Sequence, residues 1–134
     1  MRSPGLRVLG CGNGLLGRVG KRLCADNRQT ALIDDLAALF DVRAREAHDH
    51  RHLEADFDVI MLDARGHGRS EGPPQGYTHD VQAADVAGAI AALDLRKPLV
   101  LGHSMGAVTT LTLAGLYPDL PGAILLEDPP PFWG

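Results

Sequence analysis

The chain has 134 residues, a formal charge of −4 and an isoelectric point near 5.8, which leaves room for one domain with a real core and gives no electrostatic reason for a nucleic-acid or anionic-membrane partner. No apolar run is long enough to span a bilayer, and residues 1–6 lack the apolar core of a secretory signal, so a cytoplasmic location is the expectation. Cys11 and Cys24 show no metal or redox spacing and read as free thiols of a reducing compartment.

Along the chain, Leu6 to Leu9 reads as a short strand followed by a glycine-rich stretch with G-x-G-x-x-G at Gly12, Gly14 and Gly17. After a strand, that pattern is a dinucleotide-binding fingerprint, with Asp34 or Asp35 about twenty residues on, where a ribose-binding carboxylate would sit. The fingerprint needs a second strand ending in the acid. Ala31 to Phe40 is instead spaced as a helix with Ile33, Leu36, Ala37 and Phe40 on one face, which places Asp34 and Asp35 on its exposed side. Residues 43–52 alternate charges and carry His48, His50 and His52 without a partner cluster or fixed scaffold, the pattern of a solvated linker rather than a metal site.

The second part is more strongly patterned. Phe57 to Asp63 reads as a buried strand, Ala64 to Ser70 as a glycine-rich turn, and Gly72 to Gly76 as an open loop. Thr78 is an N-cap for the helix that follows, with Asp80 favourably placed in its first turn, and the expected buried stripe is Val81, Ala84, Ala87 or Gly88, and Ala91, with Ile90 and Leu93 beside it. Pro98 opens a strand through Leu99, Val100 and Leu101, whose unbroken apolar character suits a parallel strand covered on both faces. Gly102-His103-Ser104-Met105-Gly106 then spells G-x-S-x-G between that strand and a helix-forming segment with Ala107, Leu111 and Ala114 on one face and Val108 alongside, stopped by Pro118.

That context makes the pentapeptide a nucleophile elbow, in which a sharp strand-to-helix turn lifts the Ser104 hydroxyl toward substrate. Gly102 and Gly106 are the elbow glycines, placed where a side chain would collide across the turn. The helix amino terminus favours an anionic tetrahedral intermediate, and the Met105 N–H is the expected oxyanion donor. Gly122 to Glu127 forms a further strand, so the order from residue 57 consists of repeated β-α-β units and predicts a parallel sheet flanked by helices.

These motifs together resemble the α/β-hydrolase fold family. Residues 57–133 are similar to the middle of such a protein: Asp63 to Ser70 resembles the family's turn after the strand two before the nucleophile helix, a mainly architectural element. Gly102 to Gly106 matches the elbow residue by residue, and Glu127 to Trp133 resembles the end of the strand after the elbow helix. The resemblance implies an α/β fold with a parallel central sheet, incomplete on its carboxyl-terminal side. It implies hydrolysis of an ester or related small-molecule bond by serine-centred acyl transfer, with no cofactor and no metal; it says nothing of oligomeric state.

It also implies Ser104 as nucleophile; Asp128, at the carboxyl end of the last strand, is the candidate acid, since some members of the family take their acid from this strand while more take it from the next, against the plainer reading that Asp128 caps the turn before three prolines or ties down the loop. In the family's order the histidine follows the acid, and no histidine follows His103. His67 belongs to the glycine-rich turn, His79 starts a helix, and the side chain of His103 should diverge from that of its neighbour Ser104, so none is expected to act as base. Residues 1–56 fit the family poorly, with no His-Gly pair to supply a second oxyanion donor; residues 57–134 form the hydrolase core segment. The expectation is a truncated serine hydrolase, inactive alone, against two alternatives: an inactive fragment or interaction module, and a nucleotide-binding remnant at the amino terminus.

Overall fold

The computed structural model describes residues 7–10, 30–35, 56–68 and 70–131, with side-chain detail from residue 56 onward. Five strands, β1 (Arg7–Gly10), β2 (Thr30–Asp35), β3 (Asp58–Asp63), β4 (Leu99–His103) and β5 (Ala123–Glu127), form one sheet in the order β1-β3-β2-β4-β5, every pair parallel. Two helices, α1 (His79–Ala92) and α2 (Met105–Leu116), form the crossovers from β3 to β4 and from β4 to β5.

Alternation along the strands divides the core. Ile60, Leu62 and Val100 face the helices and pack with Ala83, Val86, Ile90, Leu93 and Leu113, while Val59, Met61 and Leu101 pack together on the opposite face, joined by Phe57. Burying each large aliphatic side chain contributes about 1.5–3 kcal/mol, so the helix-side cluster is the main source of stability in the described part. Neither α1 nor α2 is long and apolar enough to cross a membrane.

Three expectations are corrected here. Thr30 to Asp35 is a strand, not the start of a helix, and it lies in the middle of the sheet with β3 on one side and β4 on the other. A run of Ala31, Leu32 and Ile33 satisfies either period over so few residues; two ladders of backbone hydrogen bonds decide for strand. Asp34 and Asp35 therefore end a strand, as the nucleotide reading required, but β3 separates that strand from β1. Gly12, Gly14, Gly17 and residues 43–52 lie outside the described residues.

The other two corrections concern helix faces. In α1 the buried residues are Gln82, Ala83, Val86, Ala87, Ala89 and Ile90, whereas Ala84, Gly88 and Ala91 are exposed. In α2 Leu111 is exposed and Leu113, Thr109 and Thr110 are buried. Alanine fits inside or outside with little preference, so α1 carried a weak stripe. In α2, contact with both α1 and the sheet draws two threonines inward.

Candidate active site

The candidate groups collect at the carboxyl end of the sheet. β4 ends at His103 and α2 begins at Met105, so Ser104 alone makes the turn between them. Its backbone sits at φ 52° and ψ −116°, a conformation that costs a residue with a Cβ about 1–3 kcal/mol. Two hydrogen bonds impose it. The Ser104 N–H donates to the Glu127 carbonyl at 2.9 Å, one step past the register pair His103 and Glu127, and the Ala107 N–H donates to the Ser104 carbonyl at 3.0 Å. Strand and helix thus each hold one side of the same residue.

Gly102 permits the close approach this requires. A Cβ there would collide with the backbone carbonyl of Gly106 and crowd Thr110 Oγ1, so the first turn of α2 can lie on β4 only if residue 102 is glycine. Gly106 is itself buried. Met105, 43% exposed, opens α2, and its amide belongs to the four amino-terminal N–H groups that no intrahelical carbonyl can reach. The first turn of α2 contains no acidic residue and receives no side-chain cap, so its partial positive charge is not offset from within.

Asp128 follows β5 directly, exposed and at φ 44°. Because His103 and Glu127 are register partners on adjacent strands, Ser104 and Asp128 are the residues that leave the sheet side by side. His103 ends β4 directly before Ser104, and the other described histidines lie elsewhere. His67 sits in the turn after β3 with Nδ1 3.0 Å from the Arg65 carbonyl, and His79 is the first residue of α1.

The turn after β3 is a braced support. Arg65 grips the Asp85 carboxylate of α1 through two bonds of 2.6 and 2.7 Å and donates through Nη1 to the Gly76 carbonyl at 2.8 Å. The Ser70 hydroxyl donates to the Asp63 carbonyl at 2.5 Å. Gly66, at φ 76°, lies under the Tyr77 ring, 2.7 Å from where a Cβ would stand. Sequence reasoning passed over Gln82 and Thr109, which join α1 to α2 by a buried hydrogen bond of 2.8 Å. The available signal was a glutamine in an otherwise alanine- and valine-rich helix segment, and two adjacent threonines in an apolar one.

Against this geometry, a profile of the alpha/beta hydrolase fold family matches residues 33–134. A 2-(acetamidomethylene)succinate hydrolase from Mesorhizobium japonicum is 40% identical over 80 residues, 60% of this chain and 29% of that protein. A non-heme chloroperoxidase from Streptomyces lividans is 50% identical over 54 residues, 40% of this chain and 20% of that one. The crystal structure of an E-2-(acetamidomethylene)succinate hydrolase superposes with a TM-score of 0.61 at 31% identity, covering 72% of this chain and 35% of the other. The chain spans about a third or less of the length of these relatives.

Proposed function

The chain belongs to the α/β-hydrolase fold family, and from that premise we propose that it carries the nucleophile half of a serine hydrolase site acting on an ester-like or related acyl substrate. The observation that carries the proposal is the strained Ser104 at the junction of β4 and α2. Ser104 Oγ adds to the substrate carbonyl carbon, the developing oxyanion meets the Met105 N–H at the uncapped start of α2, and the alcohol leaves with a proton as the acyl-enzyme forms. Water then releases the acid. Asp128 is the candidate acid, chosen because it leaves the sheet beside Ser104.

The base must take the serine proton and return it to the leaving group, and in the family's order it follows the acid. No histidine follows Asp128 in these 134 residues, so in the family's order no base for Ser104 is proposed among them. Loss of one triad member leaves about 10³–10⁴ over water, from binding and oxyanion stabilisation. We therefore expect slow labelling by a fluorophosphonate, abolished in Ser104→Ala, and no Ser104-dependent turnover of an activated aryl ester. Labelling that survives Ser104→Ala removes the nucleophile assignment. Fast Ser104-dependent turnover removes the claim that the base is lacking.

The names of the relatives cover a hydrolase and a chloroperoxidase, so the bond cleaved is proposed only to the level of acyl transfer. An interaction module without catalysis is the rival reading; it predicts no Ser104-dependent chemistry with any acylating or phosphonylating probe.

A further inference from the structure

This inference rests on Met105 as the oxyanion donor and asks what aims its amide. Gln82 is 4% exposed and Thr109 is 0% exposed. They lie in a helix interface with Ala83, Val86 and Leu113 close by in the core. Polar side chains in such surroundings are unfavourable unless each finds a partner. The Thr109 hydroxyl donates to Gln82 Oε1 at 2.8 Å, and Gln82 Nε2 donates to the Tyr77 carbonyl at 3.3 Å.

Thr109 stands one turn beyond Met105, and its hydroxyl is also 3.3 Å from the Met105 carbonyl. A threonine that bonds the carbonyl four residues back tends to bend its helix. Here the shorter contact lies outside the helix, so Gln82 draws the hydroxyl away from the turn that begins at the elbow. The far end of Gln82 is anchored too: Tyr77 covers Gly66, and Arg65 holds the Gly76 carbonyl next to it. A polar path thus runs from the turn after β3, through Gln82 and Thr109, to the first turn of α2.

We infer that Gln82 is a positioning residue: acting through Thr109, it fixes the orientation of the first turn of α2 and so the direction of the Met105 N–H, without contacting substrate. An apolar pair of similar size would fill the same space. The hydrogen-bonded pair adds directionality, a single alignment of the two helices.

The chain contains three methionines, Met1, Met61 and Met105, so ¹⁵N-methionine labelling yields two backbone amide resonances, one from the middle of β3 and one from the candidate oxyanion donor. In Gln82→Leu/Thr109→Val, which adds no methionine, both ends of the 2.8 Å bond become apolar together, leaving neither helix with an orphaned partner across the interface and restoring the melting temperature lost in either single variant. The expected result is a Met61 resonance that holds its place and a displaced Met105 resonance despite the restored stability. A Met105 resonance that stays with Met61 overturns the inference and reduces the pair to packing.

Should the double variant unfold, Met61 moves to its random-coil position and the decision passes to single variants. Thr109→Ser must then keep the Met105 resonance where Thr109→Val moves it, and equal shifts in the two overturn the inference. Failure of Ser104 to react with the phosphonate removes the catalytic reading and leaves the resonance comparison intact, so the two failures are separable.

Discussion

The helices α1 and α2 begin within the same fold and in opposite chemical states. α1 follows Thr78 in extended conformation and has Asp80 in its first turn. The Thr78 hydroxyl, foremost, and then the amides of Asp80 and Val81 hold the Asp80 carboxyl below its usual value of 3.8. Its amino-terminal charge is met by the chain's own carboxylate. Neither start receives a side-chain cap, Thr78 making none; α2 follows a residue at positive φ and has no acid in its first turn. One helix start is closed by its own sequence; the other is left open at the place where the nucleophile stands. The contrast separates a terminus built for stability from one built for an incoming negative charge.

The strongest way to break the contrast is to deny α2 its approach to β4. Gly102→Val sets a branched side chain against the Gly106 backbone and should cost more than about 4 kcal/mol, enough to abolish a cooperative urea transition. Gly88→Ala, in α1 where a Cβ meets open space, should instead stabilise by about 0.5–1 kcal/mol. Next in size, Ser104→Gly releases the strained turn and should raise stability by about 1 kcal/mol while ending phosphonate labelling. A loss of stability in that variant would show that the turn is not strained.

Met105→Asp would give α2 the acidic first turn that α1 has. Stability should rise by about 0.3–1 kcal/mol in low salt, while Ser104 labelling slows because a fixed carboxylate now competes with the oxyanion. Unchanged labelling would detach the helix terminus from the chemistry. The smallest effect belongs to α1. Since the folded Asp80 pKa lies below the unfolded value, its contribution is present above pH 3.8 and fades as pH falls through the lower, folded value. Thr78→Val should move the Asp80 midpoint, followed by carboxyl ¹³C shift, back up toward 3.8.

The same two helices show what could be read from the chain. Their existence and order, and the strands between them, follow from apolar runs punctuated by Pro98, Pro118 and the elbow glycines. Their buried faces do not. Ala83 and Ala84 differ only in which neighbour they meet, and Thr109 is buried because Gln82, far off in sequence, completes its hydrogen bonding. β2 escaped for a related reason, since its identity as a strand comes from β3 and β4 rather than from its own six residues. At the candidate site, the local turn at Ser104 was legible in five residues. Its tie to Glu127 and the path through Gln82 were not, because both join residues more than twenty positions apart.

The strand order also has a kinetic consequence. Ala31 pairs with Val59 and with Leu99, so β2 can find β3 long before β4 has been synthesised. Closing the longer loop costs more chain entropy, and parallel pairings of this span are slow to form. The β4 docking that carries Ser104 into its strained turn is therefore the costlier of the two pairings of β2. If the turn at Ser104 closes only after β4 has docked, Ser104→Gly should slow unfolding and leave the folding rate nearly unchanged, so the nucleophile's geometry would govern how long the folded chain lasts; a matching change in the folding rate would place the elbow within the barrier.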